Sequence, residues 1–520
     1  MHVKLLRFLS TEWPLAFAVF FLINAAWALA CPYAGSPDEV RQIIRAAGVA
    51  EGQVFARPVA LPAMAYTGAY QSVPSGLVRG GAPGYENFYC YLEIPTRSAA
   101  CGPVPGGPGA NIQRTYLTGN GRYNPIYYAA VGGPLVALPD WTGILLARLI
   151  SAALCAGFLA SAWLSCREWR RSPMLIAGLV IAATPAFFEM AGAIDPNSLE
   201  MAAGISLAAA AIPLLLDEGS PDAHRWLRRA AVAAIGIGQF RALGPELIAC
   251  LLAVLLIPPA RARLRYVWQL QSARWWSAGV VVSCFFGTLW TIAFKTYVVA
   301  HLPRGTFTLG QVLKNEATGH LLKIVRQIFV GFAYVALPPS LIFTVWAVAL
   351  GFVLISAFAW GTQVGRWRLT VLIAGTLALP VLSDALTANT YGLAFQGRYV
   401  FPLAVGIPLL AAFMIGSSDV LTRVQQAGVV RVLIWLLLPF QFISLAYMMD
   451  RWQSGVGPGH SLNPLRGSWH PVIGSGIPLL ALTVGLIIFG CMVWRAALPV
   501  DEQPAGRTES AAELLPVPGG

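Results

Sequence analysis

Residues 338–360 read PPSLIFTVWAVALGFVLISAFAW, a run that contains no charged side chain. As a helix that rises about 1.5 Å per residue, this run crosses the roughly 30 Å hydrocarbon core of a bilayer. Similar apolar runs recur near residues 14–30, 141–165, 173–191, 197–216, 228–241, 244–258, 277–299, 369–388, 399–416, 430–449 and 472–494. The sequence therefore predicts an all-α polytopic membrane protein with about 12 transmembrane helices. The runs 228–241 and 244–258 are short, so they are either two crossings or one bent hairpin around Gly244-Pro245.

The composition excludes an ordinary soluble protein. Of the 520 residues, 57% are hydrophobic and 11% are charged, whereas an average soluble domain has about 25% charged residues. The formal net charge of +12 could indicate nucleic acid binding, but the Lys and Arg residues occur in short clusters between apolar runs. Such clusters are typical of membrane topology signals, so we expect a lipid bilayer and no nucleic acid as the partner.

The arginine clusters also predict the orientation. They fall in three short loops on one side of the predicted topology, at Arg167, Arg170, Arg171, Arg225, Arg228, Arg229, Arg261, Arg263 and Arg265. The opposing loop around Asp195-Pro196-Asn197 contains no Lys or Arg. Because positive residues are retained in the cytoplasm, both termini are predicted to be cytoplasmic.

This topology divides the chain into four parts. Residues 1–30 form the first transmembrane helix, with a cleaved signal peptide as the alternative. Residues 31–140 form an extracytoplasmic loop with interfacial helices, whose aromatic residues suit either a small packed core or a sugar-stacking surface. Residues 141–498 form the transmembrane bundle, and residues 499–520 are predicted to be a disordered cytoplasmic tail. Outer loops of the bundle are predicted near 300–337, 389–398 and 450–471.

Two cysteines, Cys90 and Cys101, lie close together in the first outer loop, with Pro and Gly between them. Disulfides persist in oxidising, extracytoplasmic compartments, so this pair is predicted to be bonded. Four further cysteines fall in apolar runs and are interpreted as small core residues: Cys155, Cys250, Cys284 and Cys491.

Ionisable side chains are costly inside a membrane unless they are paired or hydrated, so each is a candidate site residue. In the predicted topology five of them lie near the outer ends of helices: Glu189, Asp195, Arg241, Glu246 and Asp384. Arg148 lies in the outer half of its span, and Arg398 begins another. These residues could form ion pairs that fix helix packing, or reach the headgroups. Their shared depth favours one polar chamber that is open to the outside.

Ser36-Pro37-Asp38-Glu39 follows the first span directly. Carboxylates held above the membrane plane lie in a low dielectric, which raises their pKa and suits a general base. The same pair could instead cap a helix through residues 40–47.

A second polar motif, Gln396-Gly397-Arg398-Tyr399, opens a late helix. The glycine turn places an arginine at the top of that helix, at headgroup level. A guanidinium presents paired donors to phosphate oxygens, so Arg398 is predicted to clamp a phosphate.

Four short motifs occur in a set order: Asp38-Glu39 after the first helix, Asn124-Pro125-Ile126-Tyr127-Tyr128 before the second, Asp195-Pro196-Asn197 after the third, and Gln396-Gly397-Arg398-Tyr399 with Pro402. In this order the chain resembles, over roughly residues 10–450, a large bacterial family of multipass membrane proteins of largely unknown function. That family is grouped with the GT-C superfamily of glycosyltransferases. The resemblance implies a polyprenyl-phosphate sugar donor, a glycan or glycolipid acceptor and chemistry on the outer side.

The resemblance also implies roles for individual residues. Asp38 is expected to be the base of an inverting displacement, with Glu39 as its partner or as a second acceptor-binding group. Arg398 is expected to hold the lipid phosphate, with Arg241 as a second phosphate candidate by position. The other motif residues are expected to bind substrate: Asn124, Tyr127, Tyr128, Asp195, Asn197, Gln396 and Tyr399.

Metal binding near Asp38 is left open by the sequence. Relatives often carry a histidine three positions after the dyad, whereas Arg41 and Gln42 occupy that stretch here. No cofactor is predicted with certainty, although a divalent metal is possible.

Two further membrane functions fit the same composition. A flippase or transporter of lipid-linked sugars should show inverted repeats and polar groups that continue toward the cytoplasm. A polysaccharide polymerase or ligase typically has its key residues in later outer loops. The one-sided polar groups and the long first outer loop favour the glycosyltransferase, and a scaffold or receptor is the remaining alternative. The sequence contains no Walker loop, which argues against an ATP-driven pump.

Overall fold

A computed structural model of the chain describes residues 12–61, 66–78, 90–92, 94–217, 223–298, 307–331, 340–457 and 460–498. The predicted cytoplasmic tail therefore lies outside the described residues, as do residues 1–11.

Helices account for most of the described chain. In chain order they are α1 (Glu12–Ala30), α2 (Glu39–Ala50), α3 (Pro125–Val131), α4 (Gly133–Ala137), α5 (Trp141–Glu168), α6 (Met174–Ala182), α7 (Pro185–Ala191), α8 (Pro196–Leu216), α9 (Ala223–Phe240), α10 (Gly244–Leu256), α11 (Arg261–Gln269), α12 (Ala273–Ala293), α13 (Leu309–Asn315), α14 (Leu321–Val330), α15 (Ser340–Trp360), α16 (Gln363–Tyr391), α17 (Gly397–Ala404), α18 (Gly406–Ser417), α19 (Arg423–Ser454) and α20 (Gly476–Ala496). Each apolar run of the sequence coincides with one of these helices or with a consecutive pair.

The predicted number of about 12 spans is not confirmed. Within the described residues, nine helices are long and apolar enough to cross a membrane, with α17 and α18 counted as one. The count rises to ten if α6 and α7, which are bent by 61° relative to each other, form one broken span. The helix α10 is apolar but shorter, and α9 begins with three arginines. These two helices are separate elements joined at residues 241–243, where the sequence predicted either two crossings or a bent hairpin.

The centre of the bundle is formed by α8 and by the pair α17–α18. In each, 94% of the residues in its most hydrophobic 18-residue stretch are buried inside the protein. The corresponding buried share is 11% for α12 and 28% for α16. At the crossing of the two central elements a Cβ on Gly204 would lie 2.6 Å from the Cα of Pro402. Glycine therefore allows the two backbones to approach closely, as small residues do in other membrane helices. Asp195 directly precedes α8, and Arg398 lies in the first turn of α17. Both residues are therefore nearer to the starts of their helices than the Gly204–Pro402 contact is.

The segment between α1 and α5, which is predicted to be extracytoplasmic, contains a sheet that the sequence did not predict. Strands β1 (Val59–Leu61), β2 (Tyr66–Pro74) and β3 (Gln113–Thr118) pair antiparallel in the order β1-β2-β3. The pairing joins Ala69 to Thr118 and Pro74 to Gln113, so it is a long-range contact rather than a tight hairpin. Two short helices, α3 and α4, lie where a helix was predicted before the second span. Their location at the membrane interface stays a prediction.

Buried arginines that donate to backbone carbonyls hold this segment together and attach it to the bundle: Arg45 acts within the segment, and Arg451 joins it to α19. Arg451 of α19 donates to the carbonyls of Tyr91, Ile94 and Arg97. Arg45 of α2 donates to Tyr123, Gln53 and Val54 carbonyls, and burial lowers the pKa of Arg45 to about 10. Carbonyl oxygens satisfy the donors of a buried guanidinium without a second charge, so these arginines are structural.

The basic residues gather at the end of the bundle opposite to Asp38. A cavity of about 790 Å³ there is lined by the start of α1, the end of α20 and several arginines, namely Arg167, Arg170, Arg225, Arg228, Arg229 and Arg423. The described ends of the chain therefore lie at the same end of the bundle. A cytoplasmic location of this basic end stays a prediction from the positive residues.

The predicted disulfide between Cys90 and Cys101 is present. The prediction that the other cysteines are core residues holds for Cys155 and fails for Cys250 and Cys491, which are exposed on the bundle surface. An apolar run does not distinguish a helix face turned toward the core from one turned toward lipid, because both faces are apolar.

Candidate active site

Asp38 lies between α1 and α2, directly before the first residue of α2. Its backbone is left-handed, with φ 59° and ψ 5°, and its side chain makes no capping hydrogen bond to α2. Instead Oδ2 accepts a hydrogen bond of 2.8 Å from Nη2 of Arg398, and Oδ1 accepts one of 3.3 Å from Arg41. Asp38 therefore occupies the N-cap position of α2, but its side chain does not cap the helix. A non-glycine residue held at positive φ is uncommon and often marks a functional site.

Arg398 has donors that the protein does not use. It lies in the first turn of α17 with 9% of its side chain exposed, and 3.5 Å separate its Nη1 from Oδ2 of Asp195. Within the described residues, Nε and Nη1 of Arg398 and Oδ2 of Asp195 make no hydrogen bond. Unused buried donors beside a buried acceptor indicate room for a polar ligand.

Asp195 and Asn197 hold the start of the central helix α8. Oδ1 of Asp195 accepts from the backbone N–H of Asn197 at 2.8 Å and from its Nδ2 at 2.7 Å, as an N-cap does. Because these hydrogen bonds hold Oδ1 in place, the other carboxylate oxygen, Oδ2, faces Arg398. Asp195 thus faces the site directly, whereas Asn197 supports it.

Arg241 joins the site through aromatic rings. Its guanidinium lies 4.7 Å from the ring centroid of Tyr123 and 5.6 Å from that of Tyr399. Tyr399 also contacts Arg398, which donates to its hydroxyl at 3.3 Å. Both guanidiniums thus lie over the Tyr399 ring, Arg398 at 5.2 Å from its centroid, and together they place two positive charges beside Asp38. No role was predicted for Tyr123 from the sequence, although it directly precedes the Asn124 motif.

Glu39 occupies a different environment from its neighbour Asp38. It forms a fully buried, bidentate ion pair with Arg148 of α5, at 2.7 Å and 2.6 Å. One of its oxygens also accepts from the backbone N–H of Ile194 at 3.2 Å. Both oxygens of Glu39 are therefore engaged, and the pair ties α2, α5 and the residues before α8 together.

The Asn124 motif packs the site rather than lining it. Asn124 caps α3 and donates to Gln239 at 2.9 Å. The Tyr127 hydroxyl bonds to Ser151 at 2.9 Å, and the Tyr128 hydroxyl donates to Gln42 at 2.5 Å. These contacts hold α3 against α2, α5 and α9. Gln396, at the N-cap position of α17, makes no capping hydrogen bond with its side chain.

The expectation that low dielectric raises the pKa of Asp38 is wrong. Burial acts in that direction, but the positive charges of Arg398 and Arg41 outweigh it and hold the pKa of Asp38 below its usual value. Asp38 is therefore a carboxylate at neutral pH, already paired with the arginine that was predicted to bind phosphate.

The residues around Asp38 do not form a metal-binding set. Among the described residues, one group of three ligating side chains lies close enough to hold a metal ion, and Asp38 is not part of it. That group consists of Glu316, His320 and Asp384.

A family model described as "Predicted membrane protein (DUF2142)" matches residues 21–407, which is more than half of the chain and includes Asp38, Asp195 and Arg398. The chain belongs to this family. The multipass membrane family predicted from the order of the motifs is thereby confirmed. No curated protein matches the sequence of this DUF2142 member.

Two solved structures align with the DUF2142 chain. They are ArnT from Cupriavidus metallidurans in the apo state, with 13% identity and a TM-score of 0.43, and the same protein bound to undecaprenyl phosphate, with 12% identity and a TM-score of 0.44. Each alignment covers 94% of this chain and 78% of the other. Similarity at this level does not transfer a ligand or a reaction to this chain.

Proposed function

We propose that the chain is a GT-C-type glycosyltransferase that moves a sugar from a polyprenyl-phosphate donor to a cell-envelope glycan or glycolipid. The reaction takes place at the Asp38 end of the bundle, which is the outer face in the predicted topology. The observation that carries the proposal is the 2.8 Å pair between Asp38 and Arg398, with two further donor atoms of Arg398 left unused beside it.

The phosphate of the donor lies against Arg398 and Arg241. Nε and Nη1 of Arg398 each offer a donor to the phosphate. The paired donor edge formed by Nε and Nη2 becomes available when the phosphate displaces Asp38 from Nη2. Arg241, which lies over the rings of Tyr123 and Tyr399, supplies a second positive charge. Both groups stabilise the negative charge that develops on the phosphate as it leaves.

The chain of the donor lies in an apolar groove next to Arg398. A cavity of about 150 Å³ between α14, α15, α16 and α17 is lined almost entirely by apolar side chains. Phe401 and Ala404, which lie one to two turns after Arg398 on the same helix, form part of its wall. One helix thus presents a phosphate-binding arginine at its start and an apolar wall further along, as a prenyl phosphate requires.

Asp38 acts as the base once the donor is bound. The phosphate competes with Asp38 for Arg398, and a carboxylate released from its arginine becomes more basic. It then accepts the proton of the acceptor hydroxyl while the hydroxyl oxygen attacks the anomeric carbon. The bond from that carbon to the phosphate oxygen breaks, and the polyprenyl phosphate leaves with inversion at carbon. Glu39 supports Asp38 by fixing α2, because its own oxygens are bound to Arg148.

The proposal is tested by complementation of a deletion strain. We expect the deletion to remove a sugar from an envelope glycan or glycolipid detected by mass spectrometry, and the wild-type gene to restore it. Asp38→Asn, which keeps the size and tolerates the left-handed backbone, is expected to reduce product by about 10²-fold or more. Arg398→Lys keeps the charge but loses the paired donors and is expected to fail as well.

The matched control is Asp419→Asn, which breaks an exposed carboxylate–arginine pair with Arg171 at the opposite end. It is expected to complement fully. If Asp38→Asn protein reaches the membrane at the wild-type level and restores the glycan profile, Asp38 is not the base. A transporter of lipid-linked sugar would tolerate that substitution, since it needs no proton acceptor.

A further inference from the structure

We propose that Glu316, His320 and Asp384 form a binding site for a divalent transition metal, Zn²⁺ or Mn²⁺. The site lies where the outer segment before α14 meets α16, and it is separate from the Asp38–Arg398 pair. The inference does not depend on the proposed function.

The three side chains converge from two elements. Glu316 and His320 lie on a single π-helical turn between α13 and α14, whereas Asp384 lies near the end of α16. Nδ1 of His320 is 2.6 Å from Oε1 of Glu316 and 3.4 Å from Oδ2 of Asp384, and one ligating atom from each residue lies within 4.8 Å of the others. Ligands of a tetrahedral Zn²⁺ lie about 3.3 Å apart, given metal–ligand bonds of about 2.0–2.1 Å. Small side-chain rotations therefore bring all three atoms onto one ion.

Two oxygen atoms in the cluster are buried without a hydrogen bond. Glu316 is 3% exposed and Asp384 is 1% exposed. Within the described part of the chain, Oε2 of Glu316 and Oδ2 of Asp384 have no hydrogen-bond partner. Two facing carboxylates are costly to bury, and one imidazole compensates at most one of them. A divalent cation would balance both charges and occupy the unused oxygens.

The donor set favours one class of cation. One imidazole nitrogen with two carboxylates suits Zn²⁺ and Mn²⁺, whereas Ca²⁺ and Mg²⁺ prefer oxygen ligands alone. Glycine at position 319 has φ +155°, a conformation that other residues rarely adopt, and this shape of the turn brings residues 316 and 320 to the same side.

The bound ion would also fix the segment that precedes Arg398. Oδ1 of Asp384 accepts a hydrogen bond of 3.3 Å from the backbone N–H of Phe395. The ring centroids of Phe395 and Tyr399 are 5.6 Å apart. The backbone N–H of Gly397 donates to Gln327 of α14 at 2.8 Å. Metal binding therefore joins α14, α16 and the start of α17 into one unit.

The full-length chain, purified in detergent and stripped with a chelator, provides the test. After incubation with Zn²⁺ or Mn²⁺ and desalting, bound metal is measured by inductively coupled plasma mass spectrometry, with Mg²⁺ as the comparison ion. We expect about one Zn²⁺ or Mn²⁺ per wild-type chain and a higher Tm in its presence. Glu316→Gln and Asp384→Asn are expected to weaken binding at least about tenfold and to abolish the rise in Tm.

Asp450→Asn is the matched control. Asp450 pairs with His460 at 2.9 Å, but the described residues offer that pair no third ligand. We expect this variant to bind metal as the wild type does. If the carboxylate variants elute as aggregates, His320→Gln is tested instead, because it leaves both carboxylates in place. Its bound metal and its Tm are measured in the same way.

Two results would overturn the site. Stripped wild-type chain that takes up no Zn²⁺ or Mn²⁺ would mean that the carboxylates share a proton instead of a metal. Folded Glu316→Gln, Asp384→Asn and His320→Gln chains that bind as much metal as the wild type would place the ion elsewhere.

Discussion

The adjacent carboxylates Asp38 and Glu39 are predicted to respond to amide substitution in opposite ways. Glu39→Gln removes a charge from an ion pair whose two side chains are both 0% exposed. The Arg148 guanidinium then retains only carbonyl partners, at 2.6 Å from Cys31 and 2.8 Å from Pro32. Loss of one member of a buried pair costs about 3–5 kcal/mol, because the other charge stays buried.

Asp38→Asn is expected to cost much less, about 1 kcal/mol. The Asp38 side chain is 22% exposed, and Arg398 keeps Asp195 at 3.5 Å as a second carboxylate. At about 1.4 kcal/mol per factor of ten, Glu39→Gln lowers the ratio of folded to unfolded protein by more than about 100-fold and Asp38→Asn by less than about tenfold.

The assay compares the unfolding rates of the purified variants at one fixed temperature, because large membrane proteins often unfold irreversibly. The control is the double variant Glu39→Gln with Arg148→Met, which removes both charges and is expected to recover much of the loss. A Glu39→Gln protein that is as stable as the wild type but inactive would refute this reasoning. Glu39 would then be a catalytic partner of Asp38, as the sequence motif suggested.

Three further predictions follow from the structure. Because the folded pKa of Asp38 lies below its unfolded value of about 3.9, the stability that its pairs contribute is complete above that pH and is lost as the pH falls through the folded pKa. The Tm difference between wild type and Asp38→Asn should therefore be constant from about pH 5 to 8 and shrink below about pH 4. Gly204→Ala places a Cβ 2.6 Å from the α17 backbone and is expected to cost about 1–3 kcal/mol, seen as a lower Tm, whereas Gly157→Ala, with no atom within 4 Å, should not destabilise. A membrane-impermeant thiol reagent should label Cys90 and Cys101 only after reduction, and labelling without reduction would contradict the disulfide.

Much of the fold could be predicted from local sequence because the bilayer constrains it strongly. A backbone in hydrocarbon must satisfy its own hydrogen bonds, so each long apolar run becomes a helix. The runs therefore located the long apolar helices but not the shorter α11, α13 and α14, and compartment chemistry led to the Cys90–Cys101 bond. The sheet of the segment between α1 and α5 escaped prediction because its main pairing joins Ala69 to Thr118 across a long separation, which no local pattern signals.

For the candidate active site, too, one part could be predicted from the sequence and another part could not. Local sequence predicted that Asp38, Asp195 and Arg398 lie toward one end of the bundle, because each borders an apolar run and successive runs alternate between the two ends. Which charges pair with one another depends on the tertiary structure. It paired Asp38 with Arg398 across 360 positions of sequence and enclosed the neighbouring Glu39 with Arg148, because the first turn of α2 directs consecutive side chains to different faces.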